Sequence, residues 1–275
     1  MTYTKLSIQI NSKDTTPDFM GSQLRGALGY ALKEVSCINP SFSCEGCFAS
    51  ASCVYYAFYE EANSIHSYRF DFLLGNGAYS FDFYLFEEAC EHLPYVLLAL
   101  DKMLRERGLG KTQRTYQDFV FLINGIVANP DKTFFIPQNP TRDFKTEHFY
   151  PNIKLSFVTP LRMKKNNRLI RDANIELKDI LSSIYQRALE LKKQKRKKLD
   201  FEIQGEIIAK DIYYKELTRM SNRQKSRMNL GGIMGSIELK GLNKESYELL
   251  SLGVLIGVGK SCVFGLGKIE IEERK

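Results

Sequence analysis

The feature that most constrains the fold is a pair of alternating aromatic stretches joined by a glycine-rich turn. SYRFDFLL (Ser67–Leu74) and AYSFDFYLF (Ala78–Phe86) alternate apolar and polar side chains, and Gly75-Asn76-Gly77 lies between them. Alternation with period two is typical of a half-buried strand, and an Asn-Gly step between two such runs favours a tight turn. The sequence therefore predicts an antiparallel β-hairpin here.

The elements around this hairpin follow the order β-α-β-β-α-β. A strand is predicted at Thr4–Ile10, where apolar residues alternate. A helix is predicted at Phe19–Val35, where apolar residues recur every three or four positions. After the hairpin come a helix at Glu88–Gly108, with basic residues in its last turns and glycine at its end, and a strand at Gln117–Gly125.

The second half of the chain repeats this order more loosely. Its predicted elements are a strand at Asn152–Pro160, a helix at Ile175–Gln194, strands near Ile212–Leu217 and at Gly232–Lys240, a helix at Asn243–Leu255 and a strand at Gly265–Glu273. Two copies of the pattern predict an α+β protein of two tandem ferredoxin-like (RRM-like) domains. The expected domains are residues 1–125 and 152–275, joined by an Asn- and Pro-rich linker at 126–151.

Charge is distributed unevenly between the halves. Residues 151–275 hold 26 Lys and Arg against 15 Asp and Glu, a net of +11, whereas residues 1–150 hold 13 against 17, a net of −4. Six of the positive charges lie in the run KKQKRKK (Lys192–Lys198), but without them the second half is still at +5. The asymmetry indicates a polyanionic partner for the second half. No signal peptide or membrane-spanning stretch is evident, so we expect a cytoplasmic protein with no membrane partner.

A glycine-rich loop, GVGKSCVFGLG (Gly257–Gly267), lies between the last predicted helix and the last strand. A P-loop would need glycine at Val254, and a dinucleotide fingerprint would need it at Cys262, so no nucleotide cofactor is expected. The glycines instead favour a loop whose bare backbone N–H groups bind phosphate, with Lys260 adding a charge. A tightly packed structural turn is the alternative.

Four of the six cysteines are spaced as C-x6-C-x2-C-x5-C, at Cys37, Cys44, Cys47 and Cys53. In a chain expected to be intracellular, such a cluster favours a metal over disulfides. Structural Zn²⁺ suits four thiolates, and an iron–sulfur cluster uses the same ligands. Free cysteines in a loop are the third alternative. The sequence therefore predicts a Cys₄ insertion at 37–53 in the first domain.

Several motifs together resemble the CRISPR precursor-RNA processing endoribonucleases of the RAMP superfamily, the sixth numbered Cas family. Besides the glycine loop they are the Leu24–Leu28 stretch LRGAL, the Thr159–Arg162 stretch TPLR, Arg219-x-Ser-x-Arg-Gln, and Gly231-Gly-x-x-Gly. The resemblance covers most of the chain in the right order. In one departure, many relatives carry histidine immediately before Val-Gly-Lys of the loop, where this chain has Gly257.

The resemblance implies an endoribonuclease that cuts CRISPR repeat RNA by attack of the 2′-hydroxyl, leaving a 2′,3′-cyclic phosphate without a catalytic metal. Other Cas proteins are further candidate partners. His66 and Lys260 are the catalytic candidates, with Tyr55 and Tyr56 as rivals. The expected RNA-binding residues are Arg162, Lys164, Lys165, Arg168, Arg219, Arg223, Arg227, Gly257, Gly259, Lys260, Ser261, Gly265 and Gly267.

Two other functions fit the sequence. A non-catalytic RNA-binding subunit of an effector complex would share the superfamily motifs, and Gly257 in place of histidine favours it. A Cys₄ metal module that interacts with proteins and has no nuclease role is more distant, because the basic second half argues against it.

Overall fold

The structure is a computed structural model in which the chain forms two compact units, Met1–Asp143 and Phe144–Lys275. It describes residues 1–62, 65–129, 133–165, 168–221 and 226–274, with the side chains of 220, 221, 226 and 227 left out of the description. Within these ranges, no helix combines the length and apolar character needed to cross a bilayer.

The first unit is an antiparallel sheet with two main helices. Its strands are β1 (Thr2–Ile10), β2 (Tyr68–Asp71), β3 (Ser80–Phe86), β4 (Phe119–Ile123), β5 (Ile126–Val127) and β6 (Arg142–Asp143). They are ordered β2-β3-β1-β4-β5, and β6 pairs with β1. The helices are α1 (Gly21–Ser36) and α2 (Leu93–Lys102), and α2 is flanked by helical turns at Glu87–His92 and Met103–Arg107.

The predicted hairpin is confirmed as β2 and β3. Tyr68 pairs with Leu85 and Asp71 with Asp82, so the register is centred on the Asn76–Gly77 step. The ladder stops at Asp71, short of the predicted strand end, because the chain leaves the sheet where Gly75 donates a backbone hydrogen bond to Asp18. The alternating pattern predicted the pairing, but residues 72–79 form a longer connection than the tight turn expected at Asn76–Gly77.

The predicted linker at 126–151 needs correction. Its first residues form β5, which pairs with β4, and β6 closes against the start of β1. The boundary between the units falls at Asp143, so most of this segment belongs to the first unit. Short strands with exposed side chains carry no alternating apolar signal, which is why the sequence did not show them.

The second unit repeats the same topology. Its main sheet is ordered β10-β13-β7-β14 and is antiparallel throughout, with two helices in the connections. In each unit the first strand lies between the third and the fourth, which is the ferredoxin-like order. The elements are β7 (Ile153–Leu161), β8 (Lys164–Lys165), β9 (Arg168–Leu169), α3 (Leu177–Leu191), β10 (Glu206–Lys215), β11 (Thr218–Ser221), β12 (Ser226–Asn229), β13 (Gly232–Lys240), α4 (Lys244–Ile256) and β14 (Ile269–Glu273).

Capping and burial explain where the helices of the second unit begin. At α3, Glu176 and Asp179 form a reciprocal capping box, and at α4 the side chain of Asn243 accepts a hydrogen bond from the Ser246 amide over 3.1 Å. The helix α3 ends at Leu191, so the basic run at 192–198 lies beyond it with every side chain exposed. This run is therefore a solvated segment outside the core.

Candidate nucleic-acid interface

The glycine-rich loop is joined to the end of β7 by backbone hydrogen bonds. The Lys260 amide donates to the Arg162 carbonyl over 2.8 Å, and the Gly267 amide donates to Pro160 over 3.1 Å. Within the loop, the Val258 amide donates a hydrogen bond to the Gly267 carbonyl over 2.9 Å. The two ends of the loop are thus held together beside one strand.

The glycines here serve close packing. A Cβ on Gly259 would lie 2.5 Å from the Arg162 carbonyl oxygen, and one on Gly267 would overlap the Val258 carbonyl. Both residues have positive φ, 79° and 72°, a region that side chains other than glycine rarely adopt. Tight backbone contact alone accounts for glycine at these two positions.

The expectation that these glycines offer free amides to phosphate is wrong. The amides of Gly257 and Gly265 donate to the carbonyls of Gly253 and Cys262, and that of Gly259 donates to the Ser183 hydroxyl over 3.1 Å. With Gly267 bonded as well, all four amides already have acceptors within the protein. RNA binding by the loop stays a prediction, now through side chains such as exposed Lys260 and half-buried Ser261.

Arg162 connects the loop to the Gly231-Gly232 pair. Its Nη1 donates to the Gly231 carbonyl over 2.7 Å, and burial lowers the pKa of the guanidinium. A Cβ on Gly232 would lie 2.6 Å from the Leu161 carbonyl, so this glycine also permits two backbones to approach. Arg162 is half-buried, and its side chain has a structural task alongside any contact with RNA.

Arg219 reaches the loop from β11. Its guanidinium carbon lies 4.6 Å from the centre of the Phe264 ring, within the range of a cation–π interaction. Phe264 was not among the residues singled out from the sequence, although an aromatic residue inside a glycine loop is a usable signal. Arg219, Arg162 and Lys260 are thereby brought to one region of the second unit.

The basic residues that follow β7 form a small hairpin, β8 with β9. Lys165 donates to Glu176 over 2.5 Å and also lies 3.3 Å from Asp179, and the hydrogen bond to Glu176 raises the pKa of Lys165. Lys164 and Arg168 are exposed. The hairpin therefore presents two exposed cations and one that is paired with the start of α3.

Two predicted RNA-binding residues fall outside what the structure describes. Arg223 lies in the segment 222–225, and the side chain of Arg227 is likewise not described. Both stay predictions from the sequence.

His66 lies in the first unit, between α1 and β2, in an aromatic cluster. Its Nδ1 is 3.2 Å from the Ala57 carbonyl oxygen, and its ring stacks on Tyr68 with centroids 6.0 Å apart. A carbonyl can only accept, so this contact assigns the proton of the neutral ring to Nδ1. Nε2 is then the nitrogen that can accept a proton, as a general base must.

Other side chains near His66 also have internal partners. Tyr55 donates to Glu60 over 3.1 Å and stacks on Tyr59, and Lys33 lies over the Tyr55 ring at 5.0 Å. His92 contacts the edge of Phe58, and burial lowers the pKa of His92. Of the three histidines, His66 thus has the contact best suited to fixing a tautomer.

The four clustered cysteines lie between α1 and β2 and line one cavity of about 150 Å³. All are half-buried free thiols, whereas Cys90 and Cys262 are buried, as expected of small core residues. Across the described part of the chain, no three His, Cys, Asp or Glu side chains converge closely enough to hold a metal ion. The predicted cluster therefore shares a cavity, and metal binding stays a prediction.

Comparison with known families identifies the second unit. A family model described as the CRISPR-associated endoribonuclease Cas6 matches residues 155–269, and a model described as an N-terminal domain matches residues 1–120. Residues 155–269 match the Cas6 family. The resemblance indicated by the sequence motifs is thus confirmed, since the Cas6 match spans from β7 through the glycine loop into β14. None of the curated proteins compared matches the chain.

Solved structures with a similar fold cover both units of this chain. Two Cas6 proteins solved as product complexes align over 99% of this chain and over 100% and 99% of their own, each at 14% identity and a TM-score of 0.57. A protein described as an RAMP protein binding different RNA substrates aligns at 12% identity, over 99% of this chain and 100% of its own, with a TM-score of 0.50. At these identities the likeness shows the tandem ferredoxin-like fold.

Proposed function

We propose that this protein is an endoribonuclease that cuts CRISPR precursor RNA within its repeats. The match of residues 155–269 to the Cas6 endoribonuclease model carries the proposal. The net charge of +11 over residues 151–275 supports it, because a polyanionic substrate needs such a surface. Solved Cas6 proteins of the same fold are described as product complexes.

The proposed reaction uses a nucleophile that RNA itself supplies. A base removes the proton of the 2′-hydroxyl, the 2′-oxygen forms a bond to phosphorus, and the bond from phosphorus to the 5′-oxygen breaks. An acid protonates the departing 5′-oxygen, so one product ends in a 2′,3′-cyclic phosphate. Positive groups stabilise the charge on the phosphorane, and the steps need no metal ion.

His66 is the proposed base. The Ala57 carbonyl favours a neutral ring with its proton on Nδ1, so Nε2 is the nitrogen that would accept the proton of the 2′-hydroxyl. Lys260 is the proposed charge stabiliser, because its side chain is exposed on a backbone that is hydrogen-bonded to Arg162. Arg162, Lys164, Arg168 and Arg219 are the proposed phosphate contacts.

A non-catalytic RNA-binding subunit is the second candidate, and Gly257 favours it. Where many relatives carry histidine, this residue ends α4 with φ 79° and ψ 161°, a conformation that is essentially restricted to glycine. A histidine in this backbone conformation would be strained. If the loop histidine of relatives serves catalysis, this protein must do without it or cleave poorly.

Single-turnover cleavage of a labelled repeat RNA in EDTA tests both candidates. Our proposal expects one cut per repeat, a cyclic-phosphate end identified by mass spectrometry, and no cut in RNA with a 2′-deoxy nucleotide at the scissile position. Binding of the same RNA without cleavage would establish the second candidate, and neither binding nor cleavage would refute both. A melting curve in the same EDTA buffer separates loss of chemistry from loss of fold.

A further inference from the structure

The segment from Cys37 to Cys53 lacks a hydrophobic core of its own. The structure describes it throughout, and none of its side chains is buried. Three large apolar residues are instead exposed, with exposed fractions of 71% for Ile38, 48% for Phe42 and 74% for Phe48. Ordering a chain costs about 1–2 kcal/mol per residue, and burial of apolar side chains normally offsets it. Burial of apolar side chains therefore contributes little to ordering this segment.

The cysteines lie at positions where a link between them would connect both ends of the segment with its centre. Cys37 directly follows α1, and Cys53 directly precedes the helical turns that continue to Glu60. Between them, Cys44 and Cys47 share a turn in which the Cys47 amide points to the Cys44 carbonyl over 3.4 Å and Gly46 has φ 64°. The thiols therefore mark both ends of the segment and its central turn.

These four thiols face a common space. All of them line the cavity of about 150 Å³, together with Tyr55, Tyr56 and Tyr95. They are half-buried, in contrast to the exposed Phe42 and Phe48 of the same segment. The loop thus brings four cysteines to the lining of one cavity, which is the ligand type and number that a structural zinc site uses.

We propose that Cys37, Cys44, Cys47 and Cys53 bind one Zn²⁺ ion, which orders the segment from 37 to 53. Zn²⁺ binds four thiolates tetrahedrally, with Zn–S distances of about 2.3 Å. The thiols do not converge to such distances here, so binding requires the segment to close around the cavity. No side chain of the segment is buried in a core that would resist that movement. Metal binding and ordering of the segment are then one event.

Metal content and thiol titration of the full-length protein test this proposal without reference to RNA cleavage. The expected result is one zinc per chain by mass spectrometry, with six thiols titrated after denaturation in chelator. The paired variants Cys44→Ser and Cys47→Ser should lose zinc, whereas Cys90→Ala, which changes a cysteine outside the cluster, should keep it. Chymotrypsin should cut at Phe42 or Phe48 in the zinc-free protein and leave these sites intact in the zinc-loaded protein.

Three results would overturn the proposal. Six titratable thiols without any bound metal would mean that the cysteines are simply free. Fewer than six thiols, restored by a reductant, would show disulfides. Iron and sulfide with visible absorption would show an iron–sulfur cluster in place of zinc. Because the wild-type measurements decide among these outcomes, the test holds even if a cysteine variant fails to fold.

Discussion

The backbone amide of Lys260 donates to the carbonyl oxygen of Arg162 over 2.8 Å, and the adjacent Gly259 leaves no room for a side chain at this contact. A Gly259→Ala variant would place its Cβ 2.5 Å from that oxygen, in a backbone conformation with φ 79°. We expect a loss of at least about 1–3 kcal/mol of unfolding free energy, the usual cost of such strain.

Urea unfolding of Gly259→Ala and a matched control measures this loss. In α1, Gly26→Ala would meet no atom within 4 Å, so it should gain about 0.5–1 kcal/mol through helix propensity. Equal stability of Gly259→Ala and the wild type would show that the loop is not packed as described.

Replacing His66 with alanine removes the proposed base. We expect RNA cleavage to slow by about 10²- to 10⁴-fold, the usual contribution of a general base, with affinity for the repeat RNA unchanged. Single-turnover kinetics and a binding titration measure the two effects separately. His148→Ala is the control, since exposed His148 contacts only the region of Tyr150 among the described aromatic rings. Wild-type cleavage by His66→Ala would exclude His66 as the base.

The hairpin after β7 predicts different roles for two adjacent lysines. Lys164 is exposed, whereas Lys165 is paired with Glu176 and Asp179. Lys164→Ala should reduce the slope of log affinity against log salt by about 0.7, the value for one phosphate contact with a single strand. Lys165→Ala should change it less. Binding titrations over a range of salt concentrations measure both slopes, and a larger effect from Lys165 would contradict this assignment.

The cap of α4 predicts a stability effect remote from the loop. Asn243 accepts from the Ser246 amide over 3.1 Å and donates to the Glu202 carbonyl over 2.8 Å. Asn243→Ala should cost about 1 kcal/mol, as loss of a helix cap usually does. Lys244→Ala is the matched control, because its pair with Glu248 is exposed and worth little. Thermal or urea unfolding should separate the two variants, and an equal loss would argue against the cap.

The order of elements could be predicted because most strands have one buried face. Along most of β3 and β7, buried residues alternate with half-buried or exposed ones. This alternation of burial produces the period-two pattern in the sequence. The strand β10 begins at Glu206, which is earlier than predicted. The sequence did not reveal this beginning because the first six residues are mostly exposed and show no alternation of apolar and polar side chains. Periodicity thus reports burial, and it misses elements held mainly by backbone pairing.

The candidate site was harder to predict because its key contacts join residues far apart in sequence. The spacing of the glycines marked the loop, but only the fold shows that their amides are bonded within the protein. Arg187, which is buried and donates to the Ile256 carbonyl over 2.8 Å at the end of α4, had no signal beyond a charged residue in an amphipathic helix. Such partners depend on tertiary packing.

The backbone hydrogen bonds between the glycine loop and β7 affect how related sequences can be classified. Gly259 and Gly267 are required by neighbouring carbonyl groups, whatever the loop binds. A related protein that does not cut RNA would still need both glycines in order to fold. A search keyed to these glycines would therefore collect cutting and non-cutting proteins together, and only the residues around them could tell the two apart.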